Sequence, residues 1–248
     1  MIIQQEEIKG MPRIFSSPFS LLFLIALVLI GILLIPLLFL NIVGSAFTRL
    51  GFSGWQAVLI VLLTLVGSFV NIPVTTIRSS PLFPPDRFFG GRGSRFLPFF
   101  YRVPVYTETT TVAVNLGGAV VPVVISLLLS WAAVAVVGTG LLLQIGIGIV
   151  AVTIVTHLLA EPVPGLGIST PFFIPPITAA LAGLLLAGGI GWESAVIAYI
   201  GGTIGTLIGA DLLNWRSYRN LGAPLVSIGG AGTFDGIFLT GVLAVLLA

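Results

Sequence analysis

The sequence predicts an all-α fold: a polytopic transmembrane helix bundle of about seven spans, with the N-terminus cytoplasmic and the C-terminus outside. Three observations carry that expectation. Hydrophobic residues make up 57% of the chain and charged residues only 7%, where a water-soluble domain carries about a quarter charged residues. The apolar residues fall in runs close to the ~20 residues that a helix needs to cross a hydrocarbon core of ~30 Å. The basic residues are gathered in a few short segments between those runs, which is the signature of membrane orientation.

The expected spans are, in order, about 19–43, 54–77, 110–131, 136–160, 171–190, 193–214 and 224–247. The first follows MIIQQEEIKGMPRIFSSPFS and has no small-residue cleavage site after a short apolar core, so it reads as a retained span and not as a signal peptide. The third and fourth lie in one apolar stretch over 109–160, divided by a tight turn near Gly138. Pro175-Pro176 is expected to break or kink the fifth span. The seventh opens on glycine-rich SIGGAG, poor helix material, so its ordered helix is expected from about Thr233.

With the N-terminus inside, the cytoplasmic segments hold Lys9, Arg13, Arg78, Arg87, Arg92, Arg95, Arg102, Arg216 and Arg219, and the outer segments hold only Arg49. That bias supports the seven-span count. The chain is expected to form one integral membrane domain over 1–248, with a basic, Pro- and aromatic-rich cytoplasmic loop at about 78–108. The lipid bilayer is the partner such a composition implies, and the placement of the basic residues speaks for topology rather than nucleic-acid binding. Cysteine is absent, which removes disulfides, thiolate metal sites and a cysteine nucleophile from consideration.

Ionisable groups inside spans are costly and mark function by default. Glu193 follows GGIG at the start of a span, where the helix dipole favours a carboxylate, so its role reads as structural. Asp211 follows Gly201, Gly205 and Gly209, a stripe that lets a neighbouring backbone approach closely. It lies about three residues from the cytoplasmic end of its span, ~5 Å deep, with Asn214 at i+3 as a hydrogen-bond partner. Asp235 lies near the start of the last helix, in the same leaflet. Two adjacent carboxylates cannot both ionise, and the shared proton lets one serve as base toward water while the other serves as acid. Asp211 and Asp235 are therefore the expected catalytic pair.

His157 and Glu161 stand at i and i+4, on one helical face near the same end. No cofactor is expected, although His157, Glu161 and the two aspartates have the donor types of a divalent-metal site suited to Mn or Mg. Asn71 and Asn115 complete a polar set, with Asn214 and Glu161, that would support or bind substrate in a cytoplasm-facing cavity.

Four segments, VNLGGAVVP, EPVPGLGI, GTLIGADLLN and SIGGAGTFDGIFLTG, resemble a prokaryotic family of uncharacterised polytopic membrane proteins over nearly the whole chain. That resemblance implies a multi-pass protein of the cell membrane and brings no activity. A local resemblance covers about fifty residues and is to intramembrane aspartyl proteases of the presenilin type. Those enzymes carry Tyr-Asp in one helix, Gly-x-Gly-Asp at the next, and Pro-Ala-Leu later. Here Ala210-Asp211 replaces the first, two extra residues separate Gly232 from Asp235 in the second, and PPITAAL precedes both aspartates. The order of the acids agrees and the letters do not. The resemblance implies a di-aspartyl hydrolase acting on transmembrane peptides. The leading expectation is such an intramembrane di-aspartyl hydrolase; the alternatives are a transporter or channel for a small ion or solute using the same carboxylates, a metal-dependent membrane enzyme, and a purely structural role of the acids in helix packing.

Overall fold

The computed structural model describes residues 18–79, 109–163, 167–230 and 236–248. Helices dominate: α1 (Pro18–Arg49), α2 (Gly54–Gly67), α3 (Val121–Val136), α4 (Gly140–Leu159), α5 (Ile174–Ala187), α6 (Trp192–Thr206) and α7 (Gly236–Leu247). A π-helical turn, Leu116–Val120, leads into α3, and a second, Leu207–Leu212, continues α6. Among the described residues, four helical runs are long and apolar enough to cross a membrane: Leu21–Arg49, Leu116–Val136, Gly140–Leu159 and Trp192–Leu212. The helices Gly54–Gly67, Ile174–Ala187 and Gly236–Leu247 are apolar but shorter.

The stretch up to Asn41 is one unit, a run of α1 whose apolar side chains are open almost throughout. The second unit, Ile42–Ala248, holds the packed core. Its centre is α6, with Ala195 through Ile200 buried without a break. A helix buried all round needs small side chains where neighbours cross it, and α6 supplies them. A Cβ on Gly201 would meet the backbone of Gly148 at 3.3 Å, one on Gly205 would meet Val152 Cβ at 2.7 Å, and one on Gly209 would meet the Thr153 carbonyl at 2.6 Å. The expected glycine stripe thus lies along α4. On the other side, Gly202 packs against Ala179 of α5 and Thr240 of α7. The order of contacts makes α4 parallel to α6 and α7 antiparallel to it.

The helix ends follow local chemistry. Ser53 and Gln56 form a capping box at the start of α2. The turn between α3 and α4 falls at Gly138, whose φ of +108° suits glycine. Glu193 sits in the first turn of α6. Arg49 donates to the carbonyls of Val245 and Leu246 at 2.8 and 3.1 Å, neutralising the C-terminal end of α7.

The structure departs from an all-helical reading in three places. Asn71–Arg78 and Thr109–Asn115 are strands, β1 and β2, and Leu225–Ile228 is β5, where the sequence reading gave span ends. The order is β1-β2-β5, antiparallel then parallel. These segments are rich in β-branched residues, which pack better on a pleat than in a helix, and Pro73 sits on the edge strand beside a bulge, where a missing N–H is tolerated. Pro175 and Pro176 start α5 instead of breaking it, since the first helical turn has no intrahelical use for their N–H groups. Finally, α4 ends at Leu159 and Ala160 turns extended, so Glu161 enters the hairpin β3 (Glu161–Val163) and β4 (Gly167–Ser169). His157 and Glu161 do not share a helical face. Of the basic loop at about 78–108, residues 80–108 lie outside the described residues.

Candidate functional site

The polar side chains expected to form one set fall into two groups at the end of the bundle where α6 finishes. The first joins strands to a helix. Asn71 and Asn115 are partners in the β1–β2 register. Asn115 Nδ2 donates to the Ser68 carbonyl at 2.7 Å and to Asn71 Oδ1 at 3.0 Å, while its Oδ1 accepts from Gly118 N at 2.7 Å. Asn71 Oδ1 also accepts from Ser227 Oγ of β5 at 2.6 Å. Asn115 is buried, and its side chain caps the π turn that opens α3. Three of its four hydrogen-bonding positions are used, so this group is a clasp between β1, β2, β5 and α3.

The second group centres on Asp211. The π turn Leu207–Leu212 bonds i to i−5, as in Leu213 N to Ile208 O at 2.9 Å. One extra residue per turn rotates the rest of the segment by about 100° relative to a continuous α-helix. The half-buried Asp211 accepts from Gly229 N on Oδ2 at 2.8 Å. Its own carbonyl accepts from the Tyr218 hydroxyl at 3.0 Å. Gly229 must be glycine: its φ is +85°, and a Cβ would lie 2.6 Å from Ala119 Cβ. The Asp211 carboxylate therefore grips the chain just after β5, where that chain lies on the π turn opening α3.

Asn214 does a related task. Its Nδ2 donates to the Gly209 and Ala210 carbonyls at 2.9 and 3.0 Å, satisfying acceptors left open at the helix end, and lies 3.2 Å from His157 Nδ1. Asn214 thus ties α6 to the end of α4. Glu161 stands exposed on β3. Asp235 lies outside the described residues. Among the described residues, no three His, Asp or Glu side chains converge as a metal site would require.

Sequence reading missed Ser68, Ser227, Tyr218 and Gly229. The signal for Gly229 was present in the GG of SIGGAG, where positive φ is the usual reason for paired glycines. Ser68 contributes only a backbone carbonyl, which no sequence pattern announces. At the opposite end of the bundle, a groove of about 500 Å³ is lined by Val136, Val137 and residues 187–194. It holds one carboxylate, Glu193, and none of the polar set.

No curated protein and no solved structure matches the chain. A family model described as "Protein of unknown function (DUF1614)" matches residues 65–247, a range that contains all four motif segments as well as Asp211, Asn115 and the β1–β2–β5 sheet. The chain accordingly belongs to the DUF1614 family.

Proposed function

We propose that this is a multi-pass protein of the cell membrane that moves a small ion or solute, with Asp211 and Asp235 as the carboxylates that bind it. In this reading residues 1–248 form one integral domain crossing about seven times, N-terminus cytoplasmic and C-terminus outside, as the distribution of basic residues suggests. The observation that carries the reading is the position of the Asp211 carboxylate at a convergence of helix breaks. The π turn that holds Asp211, the glycine segment at Gly229 and the π turn before α3 meet there. Irregular backbone at membrane depth is stable only where protein buries it or it lines a wet cavity. Transporters place substrate and coupling ions at such interruptions, where a helix end and an acid side chain supply opposite partial charges. The test is flux of protons and monovalent cations in proteoliposomes. Asp211→Asn, nearly identical in shape, is expected to reduce flux at least tenfold. Wild-type flux in that variant would sink the transport reading.

The Gly229–Asp211 bond also favours a second reading, a di-aspartyl hydrolase. It holds the chain six residues before Asp235 against the Asp211 carboxylate. In that chemistry one carboxylate takes a proton from water as the water attacks a peptide carbonyl, and the other gives a proton to the carbonyl oxygen. Cleavage of transmembrane peptides by the wild type, lost in both Asp211→Asn and Asp235→Asn, would replace the first reading with this one.

A further inference from the structure

Past the π turn that holds Asp211, the chain forms a short 3₁₀ helix, Trp215–Asn220, before it reaches β5. A 3₁₀ helix has three residues per turn, so side chains at i and i+3 stand one above the other. Trp215 and Tyr218 therefore share one side, and Arg216 and Arg219 share another. Tyr218 fixes which side faces inward. It is buried in a small core with Val112 of β2 and Val226 of β5, joined by Leu221 and Ala223. Its hydroxyl donates to the Asp211 carbonyl at 3.0 Å. With Tyr218 locked, the two arginines are turned outward, and both are exposed.

Outward charge is ordinary on a soluble surface, where both signs are interspersed. Here one sign stands alone. The 3₁₀ helix and the three strands of the sheet hold Arg78, Arg216 and Arg219 and no carboxylate. The Ser79 hydroxyl donates to the Arg219 carbonyl at 3.3 Å, which ties the end of β1, and Arg78 with it, to the helix. The neighbours of the arginines along the chain are apolar. Leu212, Leu213 and Trp215 are 44%, 49% and 50% exposed. They continue directly from Trp192–Leu212, a run long and apolar enough to cross a membrane. An indole half in the open, between such a run and a pair of arginines, is the arrangement found where hydrocarbon gives way to headgroups.

Depth and charge together select the partner. At a rise of about 2 Å per residue, Arg216 and Arg219 stand about 6 Å apart along the helix axis, so both guanidinium forks can engage one phosphate group. A zwitterionic lipid brings its own cation to that phosphate, whereas an anionic headgroup leaves its charge to the protein. We propose that Arg216 and Arg219, with Trp215 at the acyl boundary and Arg78 adding charge beside them, form a docking surface for the headgroup of an anionic phospholipid. The inference is independent of what Asp211 binds. The helix that takes the lipid is nevertheless the one whose Tyr218 holds the Asp211 backbone.

Native mass spectrometry of the full chain in detergent, titrated with phosphatidylglycerol or with phosphatidylcholine of equal acyl length, reads the two affinities. The wild type is expected to prefer phosphatidylglycerol by about tenfold or more, a preference that weakens as ammonium acetate is raised. A basic residue at an anionic surface is worth about fivefold in affinity, so Arg216→Gln and Arg219→Gln are each expected to lose that much for phosphatidylglycerol, and the pair about twentyfold. Binding of phosphatidylcholine should stay as it was. Arg216→Lys and Arg219→Lys keep the charge and are expected to stay within about threefold of wild type. Arg49→Gln, whose guanidinium is taken up by carbonyls of α7, is expected to change neither affinity. Equal affinity of the wild type for the two lipids overturns the proposal with no variant required. So does a paired glutamine variant that prefers phosphatidylglycerol as strongly as wild type does. Inorganic phosphate that displaces phosphatidylglycerol at equal concentration overturns the assignment to lipid. None of these results bears on the flux of Asp211→Asn, so the transport reading stands or falls separately.

Discussion

Two helices of this chain are apolar over more than twenty residues and live in opposite surroundings. In the span that begins at Leu21, none of the most apolar window is buried, whereas 78% of the window over Trp192–Leu212 is. The first is built from Leu, Ile and Phe, the second from Gly, Ala, Ser and Thr among its larger residues. Both exclude water, so hydropathy alone does not separate them. The difference is one of size: lipid accepts any bulky side chain, but a helix crossed on every side must be narrow. Small residues inside an apolar run therefore mark the helix that other helices surround, and in this protein that helix also carries the acid.

The sharpest way to break the comparison is to widen each helix by one methyl group. Gly209→Ala places a Cβ 2.6 Å from the Thr153 carbonyl, a backbone atom that cannot swing away. A loss of about 1–3 kcal/mol is expected, read as a lower melting temperature in detergent. Gly31→Ala in the first helix meets nothing within 4 Å among the described residues and is expected to cause no loss. Equal melting temperatures for the two variants would refute the packing contrast.

A comparable effect distinguishes polar groups in the two settings. Asn115→Ala removes the cap on Gly118 N and the bond to Asn71, and strands the Ser68 carbonyl, at a cost of about 1–3 kcal/mol. Asn41→Ala removes one exposed bond to the Leu37 carbonyl and should change stability by less than about 0.5 kcal/mol. A smaller loss than at Asn115 is expected at Arg49. Arg49→Gln weakens two bonds to the last carbonyls of α7, a loss of about 0.3–1 kcal/mol. It should appear as faster amide exchange confined to the final turn of α7, and uniform exchange along α7 would contradict the capping role.

Much of this was legible in the sequence, for physical reasons that can be named. The fourth and sixth spans, the turn at Gly138 and the close approach along Gly201, Gly205 and Gly209 all followed from periodicity, length and residue size. The strands did not. Runs such as NIPVTTIR and TTTVAVN are apolar enough to extend a neighbouring span, and over so few residues a buried strand and a helix end look alike. Their β-branched density was the available clue. The acids were only partly legible. Asp211 stood out as a carboxylate in an apolar helix, but the π turn that re-aims it leaves no composition signal. His157 and Glu161 show the converse failure, since i, i+4 spacing has meaning only while the helix continues.

The parallel pairing of β2 with β5 has a consequence for how the protein is made. Thr111 meets Leu225 and Val114 meets Ile228, and Thr110 Oγ1 donates to the Ala223 carbonyl 113 residues further on. During synthesis the antiparallel pair β1–β2 can form as soon as its own chain emerges, but its free edge must wait while α3 to α6 are inserted. Only when residues 225–228 are released does the third strand close that edge and bring Gly229 to the waiting carboxylate. Contacts of such long range form slowly, so this part of the site is assembled only after the chain of α3 to α6 has been made. Until then the nascent protein presents an open strand edge on β2, the kind of edge that invites pairing with another chain.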